Sequence, residues 1–356
     1  MEAKIRSSNL ELFRIIVMLL IVAHHYVSNS NLIPIMVQDY PSAKALFLFL
    51  FGCAGKIGIN CFVLITGYFM CTSHITMRKG LKLLLQIELY NIIFFCVFAA
   101  TGYIALTPKE IIKGIIPINS IKDGFVACYL VFWCFIPFLN VLIKGMNKKQ
   151  HQILLGISLL VYSVFPQLSI DVSYNYVSWF IVVYLIASYF RLYPPTWSCN
   201  KKTTGLMAIG FTLSSIASIV VCPQIFSTFG KSPHFYFFIM DSNKPLAIAT
   251  AVSAFLYFKN IDLGYNRLIN NIAASAFGVL LIHTNNDAMR QWLWVDTLDN
   301  IGHYPGNIYT HAIVSVIIIY ITCTLIDYLR IILIEKPFFK WFDKHAMKNS
   351  VETTKE

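Results

Sequence analysis

Residues 11–26 read E11-L-F-R-I-I-V-M-L-L-I-V-A-H-H-Y26, an unbroken apolar run that opens on a charged turn and closes on two imidazoles. A run of this length and composition fits a helix crossing a bilayer rather than one face of a soluble core. Glu11 and Arg14 stand inside it and no small-residue cleavage site follows, so it is expected to remain as the first span instead of being removed as a signal.

The same texture repeats outward from this segment. Of 356 residues, 57% are hydrophobic and 15% aromatic, while only 13% are charged, about half the share usual in soluble domains. Apolar blocks of about 20 residues alternate with short charged segments, which excludes an ordinary soluble enzyme. The expected architecture is an all-α, polytopic integral membrane bundle of about ten transmembrane helices, near 10–28, 46–71, 82–102, 125–143, 152–167, 174–190, 204–222, 244–258, 271–286 and 309–331. Residues 1–342 form its transmembrane domain, and 343–356 a short polar, disordered cytoplasmic tail.

The loop charges orient this bundle. In the ten-span arrangement 19 Lys and Arg fall on the side of the termini and 7 on the other, with Arg14 and Lys56 inside spans. By the positive-inside rule both termini are cytoplasmic, and the net charge of +11 is mainly a topology signal with contact to anionic lipid as a consequence. The nine cysteines contain no CxxC pair and read as small buried hydrophobes. No P-loop, GxGxxG turn or metal-ligand pattern is present, and neither a metal nor a nucleic-acid partner is expected.

Chemistry is sought among the polar residues that spans carry at a cost. Arg14 and His25 are eleven residues apart, close to three helical turns, so they share a face about 16 Å apart along the axis. The guanidinium can grip a phosphate or carboxylate, or it can snorkel to headgroups beside Glu11. The imidazole can pass a proton at neutral pH or simply meet water at the rim, and His24 offers the same ring on another face. Lys56 needs a partner or a wet cavity, and Gly55, Gly58 and Gly67 allow close helix contact or local unwinding. Glu88 must find a base or lose its charge, with Arg14 and Lys82 as candidate partners. His283 sits at an apolar-to-polar boundary. Arg78, Lys79 and Lys82 can meet a cytoplasmic phosphate or serve topology alone. In the outer loop 287–308, Trp292 and Trp294 among carboxylates suit either a sugar face or an interfacial aromatic belt.

Six blocks in register carry a resemblance. N9-L-E-L-F-R14 with H25, I57-G-I-N-C-F-V-L-I-T-G-Y-F69, Y129-L-V-F-W-C-F-I-P-F-L-N140, W179-F-I-V-V-Y-L-I-A-S-Y-F-R191, F277-G-V-L-L-I-H283 and I326-D-Y-L-R330 together resemble the membrane acyltransferase 3 family. That resemblance implies a ten-helix protein of the bacterial cytoplasmic membrane. Such a protein takes an acyl group, usually acetyl, from acyl-coenzyme A and delivers it to a hydroxyl of a surface polysaccharide or its lipid-linked precursor. The family's essential arginine and histidine match Arg14 and His25, and its Ser-Gly-Tyr step appears as Thr66-Gly67-Tyr68. Where many members carry two arginines three apart and then Ile-Pro, this chain reads R78-K-G-L-K82, and Arg78, Lys79 and Lys82 are the expected coenzyme contacts.

On this basis Arg14, His25, Glu88 and His283 are the expected catalytic residues, with Arg14 also holding acetyl-CoA. His25 is the general base, Glu88 orients Arg14, and His283 holds the acceptor or acts as a second base. Membrane lipids, polysaccharide-assembly proteins and a second copy of the chain are the remaining expected partners. A carrier or flippase for a lipid-linked sugar or polar lipid is the competing reading, because it would use the same basic and aromatic faces without forming a bond.

Overall fold

Helix starts in this chain are set by asparagine as much as by apolar pattern. The side chains of Asn147, Asn175, Asn200 and Asn266 each accept a backbone N–H of the first turn they precede. A computed structural model describes residues 7–73, 75–118 and 124–352, and within them every regular element is helical. The helices are α1 (Ser8–Ser28), α2 (Leu32–Asp39), α3 (Ala43–Phe51), α4 (Gly55–Met70), α5 (Met77–Ala100), α6 (Pro108–Ile115), α7 (Phe125–Gly145), α8 (Lys148–Leu159) and α9 (Tyr176–Leu192). They continue as α10 (Lys201–Thr228), α11 (Pro245–Asn260), α12 (Arg267–Ala274), α13 (Ala276–His283), α14 (Asp287–Arg290), α15 (Asn300–His303), α16 (Ile308–Arg330) and α17 (Lys336–Glu352).

Seven helical segments are long and apolar enough to cross a membrane, or eight if the pair 267–283 and 287–303, bent by 93°, counts as one. The expected count of about ten is therefore not reached by length and composition. The shortfall lies in α9 and α11, of 17 and 16 residues. Both are largely enclosed by other helices, and a helix sheltered by protein does not need to match the bilayer by its own length. The tail differs too: residues 343–352 continue α17 as helix, and 353–356 lie outside the described residues.

The first helix sits at the centre, packed on α3, α4, α11, α12, α13 and α16. Its start is pinned by Asn9, whose amide donates to the carbonyls of Phe258, Lys259 and Ile261 at the end of α11. Phe13, Val17, Met18, Ile21 and Val22 then bury along its length. Glycines let α4 lie directly on it. A Cβ at Gly55 would stand 2.2 Å from the His24 ring, and one at Gly58 2.7 Å from Ile21. Gly67 does the same for α9, where a Cβ would meet Ala187 at 2.8 Å. Close contact, rather than unwinding, is what these glycines provide. The packing runs α4 antiparallel to α1.

A buried polar knot joins α5 to α16. Asp327 accepts from Arg330 at 2.8 Å, Tyr90 at 2.9 Å and Gln86 at 3.3 Å, and Arg330 also reaches Glu335 at 2.7 Å. Asp327 is fully buried, and it occupies the space a side chain at Gly278 would need, 2.1 Å from a Cβ there. The knot thus ties α5, α13, α16 and the turn 331–335 that leads into α17 together.

Candidate active site

His25 lies in the last turn of α1 and His283 ends α13. The chain brings them together across 258 positions: His25 Nδ1 and His283 Nε2 are 2.8 Å apart, and His283 Nδ1 lies 2.6 Å from the Val279 carbonyl. A carbonyl only accepts, so His283 Nδ1 carries the proton and its Nε2 is left as an acceptor. His25 must then donate through Nδ1, which leaves a lone pair on His25 Nε2. The tautomers follow by elimination from the two contacts. This is the arrangement in which a buried orienting group fixes an imidazole as a base, with a second imidazole in the orienting place.

His283 is fully buried, whereas His25 is half-buried and lines a cavity of about 830 Å3. The Trp294 ring meets His283 edge-on, 6.1 Å between centroids, and also packs on Tyr26. Trp294 is fully buried, so it is neither a sugar platform nor an interfacial anchor; Trp292, 40% exposed, remains at the surface. The stretch expected as an outer loop is mostly helical and folds back over α13. Asn286 begins that return by accepting the Met289 N–H at 2.8 Å.

His24 also lines the cavity, but it lies against Gly55 and donates Nδ1 to the Gly52 carbonyl at 2.7 Å. Lys56 finds a partner and also lines the cavity: it donates to the Tyr176 hydroxyl at 2.5 Å and stands 3.7 Å from Asp241. Asn29, Asn91, Asn285, Asn286 and Arg290 complete the polar wall. None of these carboxamides stands out in the sequence. Only the i, i+4 spacing of His25 and Asn29 could have drawn attention to one of them.

The remaining sequence candidates lie elsewhere. Arg14 is outside the cavity lining, three turns along α1 from His25, and pairs with Glu11 at 2.8 Å. Glu88 makes no ion pair among the described residues, and its Oε1 is buried without a partner there. It therefore does not orient Arg14 by direct contact in this arrangement. Lys82 meets Glu335 at 2.5 Å. Arg78 forks onto both oxygens of Asp343 at 3.0 and 3.1 Å and stacks on the Phe339 ring at 4.8 Å. Lys79 lies in the same first turn of α5. Two of the cations expected to contact coenzyme, Arg78 and Lys82, are thus shared with carboxylates of the C-terminal segment, a feature invisible without the fold.

A family model described as an acyltransferase domain matches residues 7–329, nearly the whole chain. The protein belongs to the acyltransferase 3 family. No curated protein and no solved structure matches it.

Proposed function

We propose that this protein is a membrane-bound O-acyltransferase that moves an acetyl group from cytoplasmic acetyl-CoA to a hydroxyl of a surface polysaccharide or its lipid-linked precursor. Its setting in this reading is the bacterial cytoplasmic membrane, with both termini inside and the His25 cavity facing out. The observation that carries the reading is the oriented imidazole: His25 Nε2 presents a lone pair into a polar cavity while His283, locked on Val279, holds the other nitrogen.

The acceptor hydroxyl donates to His25 Nε2 and its oxygen attacks the thioester carbonyl. The proton passes to Nε2, the new ester forms as the carbon–sulfur bond breaks, and the imidazolium returns the proton to the leaving thiolate. His283 Nε2 accepts from Nδ1–H throughout and stabilises the transient cation. General-base help of this kind contributes about 10²–10⁴-fold. Arg14, about 16 Å down the same helix face, is assigned to the coenzyme's negative end, with the long pantetheine arm spanning the gap. Arg78, Lys79 and Lys82 would add phosphate contacts once Asp343 and Glu335 yield.

The test is transfer of labelled acetyl from acetyl-CoA into polysaccharide by membranes holding the intact chain, His25→Ala or His24→Ala at equal abundance. Loss in His25→Ala with activity retained in His24→Ala is expected. Full activity in His25→Ala would remove the base, and the absence of label with the intact chain would favour a carrier.

A further inference from the structure

Among the described residues, the wall of the His25 cavity pairs every cation it carries. Lys56 stands by Asp241, Arg290 bonds Asp287 at 2.8 Å, and Lys113 bonds Glu110 at 2.7 Å. A ligand with a carboxylate or phosphate would compete with those carboxylates for the same cations. What the wall offers instead is neutral carboxamide. Asn285 donates to the Asn91 oxygen at 3.3 Å and to the Leu281 carbonyl at 3.0 Å, and Asn286 donates to the Asn285 oxygen at 3.3 Å. Three amides are therefore braced in a chain between α5 and the end of α13.

Asn29 is different. It follows His25 by one helical turn, about 6 Å, on the same face and lines the same cavity. Its side chain makes no hydrogen bond among the described residues, and its Nδ2 is shut away from solvent without a partner. Buried amide groups are nearly always satisfied, so an uncommitted one beside a general base becomes, once its side chain turns into the cavity, a place for a ligand's hydroxyls. Neutral sugars supply what this wall lacks: adjacent hydroxyls that donate and accept, and no charge.

Resting on the acyl-transfer reading, we infer that the acceptor unit is an uncharged sugar, and that Asn29 is the residue that positions it. One hydroxyl bonds the Asn29 carboxamide while its neighbour on the ring is presented to His25 Nε2. The volume of about 830 Å3 lies within the range of pockets for small organic ligands and leaves room for the ring next to the one acylated.

The full chain, solubilised in detergent, is given labelled acetyl-CoA and the source organism's polysaccharide stripped of esters by mild alkali. Hydrolysis of the labelled product then locates the ester. Label on a neutral sugar is expected, and label on a uronic acid or a phosphorylated sugar overturns the inference. Asn29→Ala and Asn29→Asp are expected to raise the KM for the stripped polysaccharide roughly tenfold, the worth of one hydrogen bond, with the KM for acetyl-CoA unmoved. An unchanged polysaccharide KM in both variants overturns the role of Asn29. If neither variant folds, the position of the label still decides the acceptor class. No transfer by the intact chain refutes the acyl-transfer reading itself, a result distinct from transfer onto a charged sugar.

Discussion

His283 shows how far a single residue's role depends on what its second nitrogen touches. Replacing it with alanine leaves His25 Nδ1–H without its acceptor and frees the ring to present either nitrogen. Transfer is expected to fall by roughly 10–100-fold, the worth of one hydrogen bond to a developing charge, with recovery in His283→Gln, whose oxygen can accept. Rates at equal membrane abundance check this, and an undiminished rate in His283→Ala would assign the histidine to packing alone. A second residue pair gives a pH signature. Hydrogen bonds from Ser42 and Tyr304 hold the Asp39 carboxylate below its ordinary value of 3.8. Burial, and then the bond to Asp39, push the Tyr304 hydroxyl up to about 12. Because the folded Asp39 value is depressed, its contribution is present above pH 3.8 and lost as pH falls through the lower folded value. The raised Tyr304 value works the other way, with stability present below pH 10 and lost as pH rises through about 12. The absorbance titration of the intact chain minus that of Tyr304→Phe should show a midpoint near 12, and a midpoint near 10 would contradict the pairing.

Among the elements, the C-terminal helix has the most to reveal. Arg78 and Lys82 meet Asp343 and Glu335 where coenzyme phosphates are proposed to bind. Asp343→Asn should therefore lower the KM for acetyl-CoA severalfold at low ionic strength, with the gain shrinking as salt screens the exposed charges. No change at any salt concentration would detach Arg78 from the coenzyme. Deeper in the same region, Asp327→Ala leaves Arg330 buried with only Glu335, and loss of one partner from a buried pair costs about 3–5 kcal/mol. Thermal melting in detergent measures that loss. What was legible at this scale followed local rules. The apolar run of 11–26 fixes α1, and eleven residues at 3.6 per turn put Arg14 and His25 on one face. The contact of His25 with His283 was not legible, because a separation of 258 residues carries no periodicity. The ion pairs of Glu335 and Asp343 with α5 were hidden for the same reason, and the polar stretch 343–356 read as disorder because the partner of Asp343 lies on α5.

Across the whole molecule, hydropathy and loop charge make a helical membrane protein evident from sequence, and the span count is where they falter. They treat each helix as if lipid surrounded it, whereas α9 is enclosed by α4, α7 and α8 and carries fully buried Trp179, Phe180, Val183 and Tyr184. Trp294 misled similarly, since an aromatic near the end of a span reads as a headgroup anchor until the return of the chain over α13 encloses it. The orientation remains open to a direct check. Single cysteines at Trp292 and Lys201, in a background lacking native cysteines, should react with a membrane-impermeant maleimide from outside and from inside, respectively. Reaction of both from one side would reject the alternation that the loop charges imply.

The Asp327 carboxylate lodged in the gap at Gly278 has a consequence for descent as well as stability. Two positions 49 apart share one volume, so neither can vary alone: an alanine at 278 with aspartate kept at 327 would overpack the crossing by about 1–3 kcal/mol. Lineages in which 278 has grown should carry a smaller residue at 327, and a different partner for Arg330. His283 stands five residues further along α13, so each such exchange would also reset the depth at which the second imidazole meets the first.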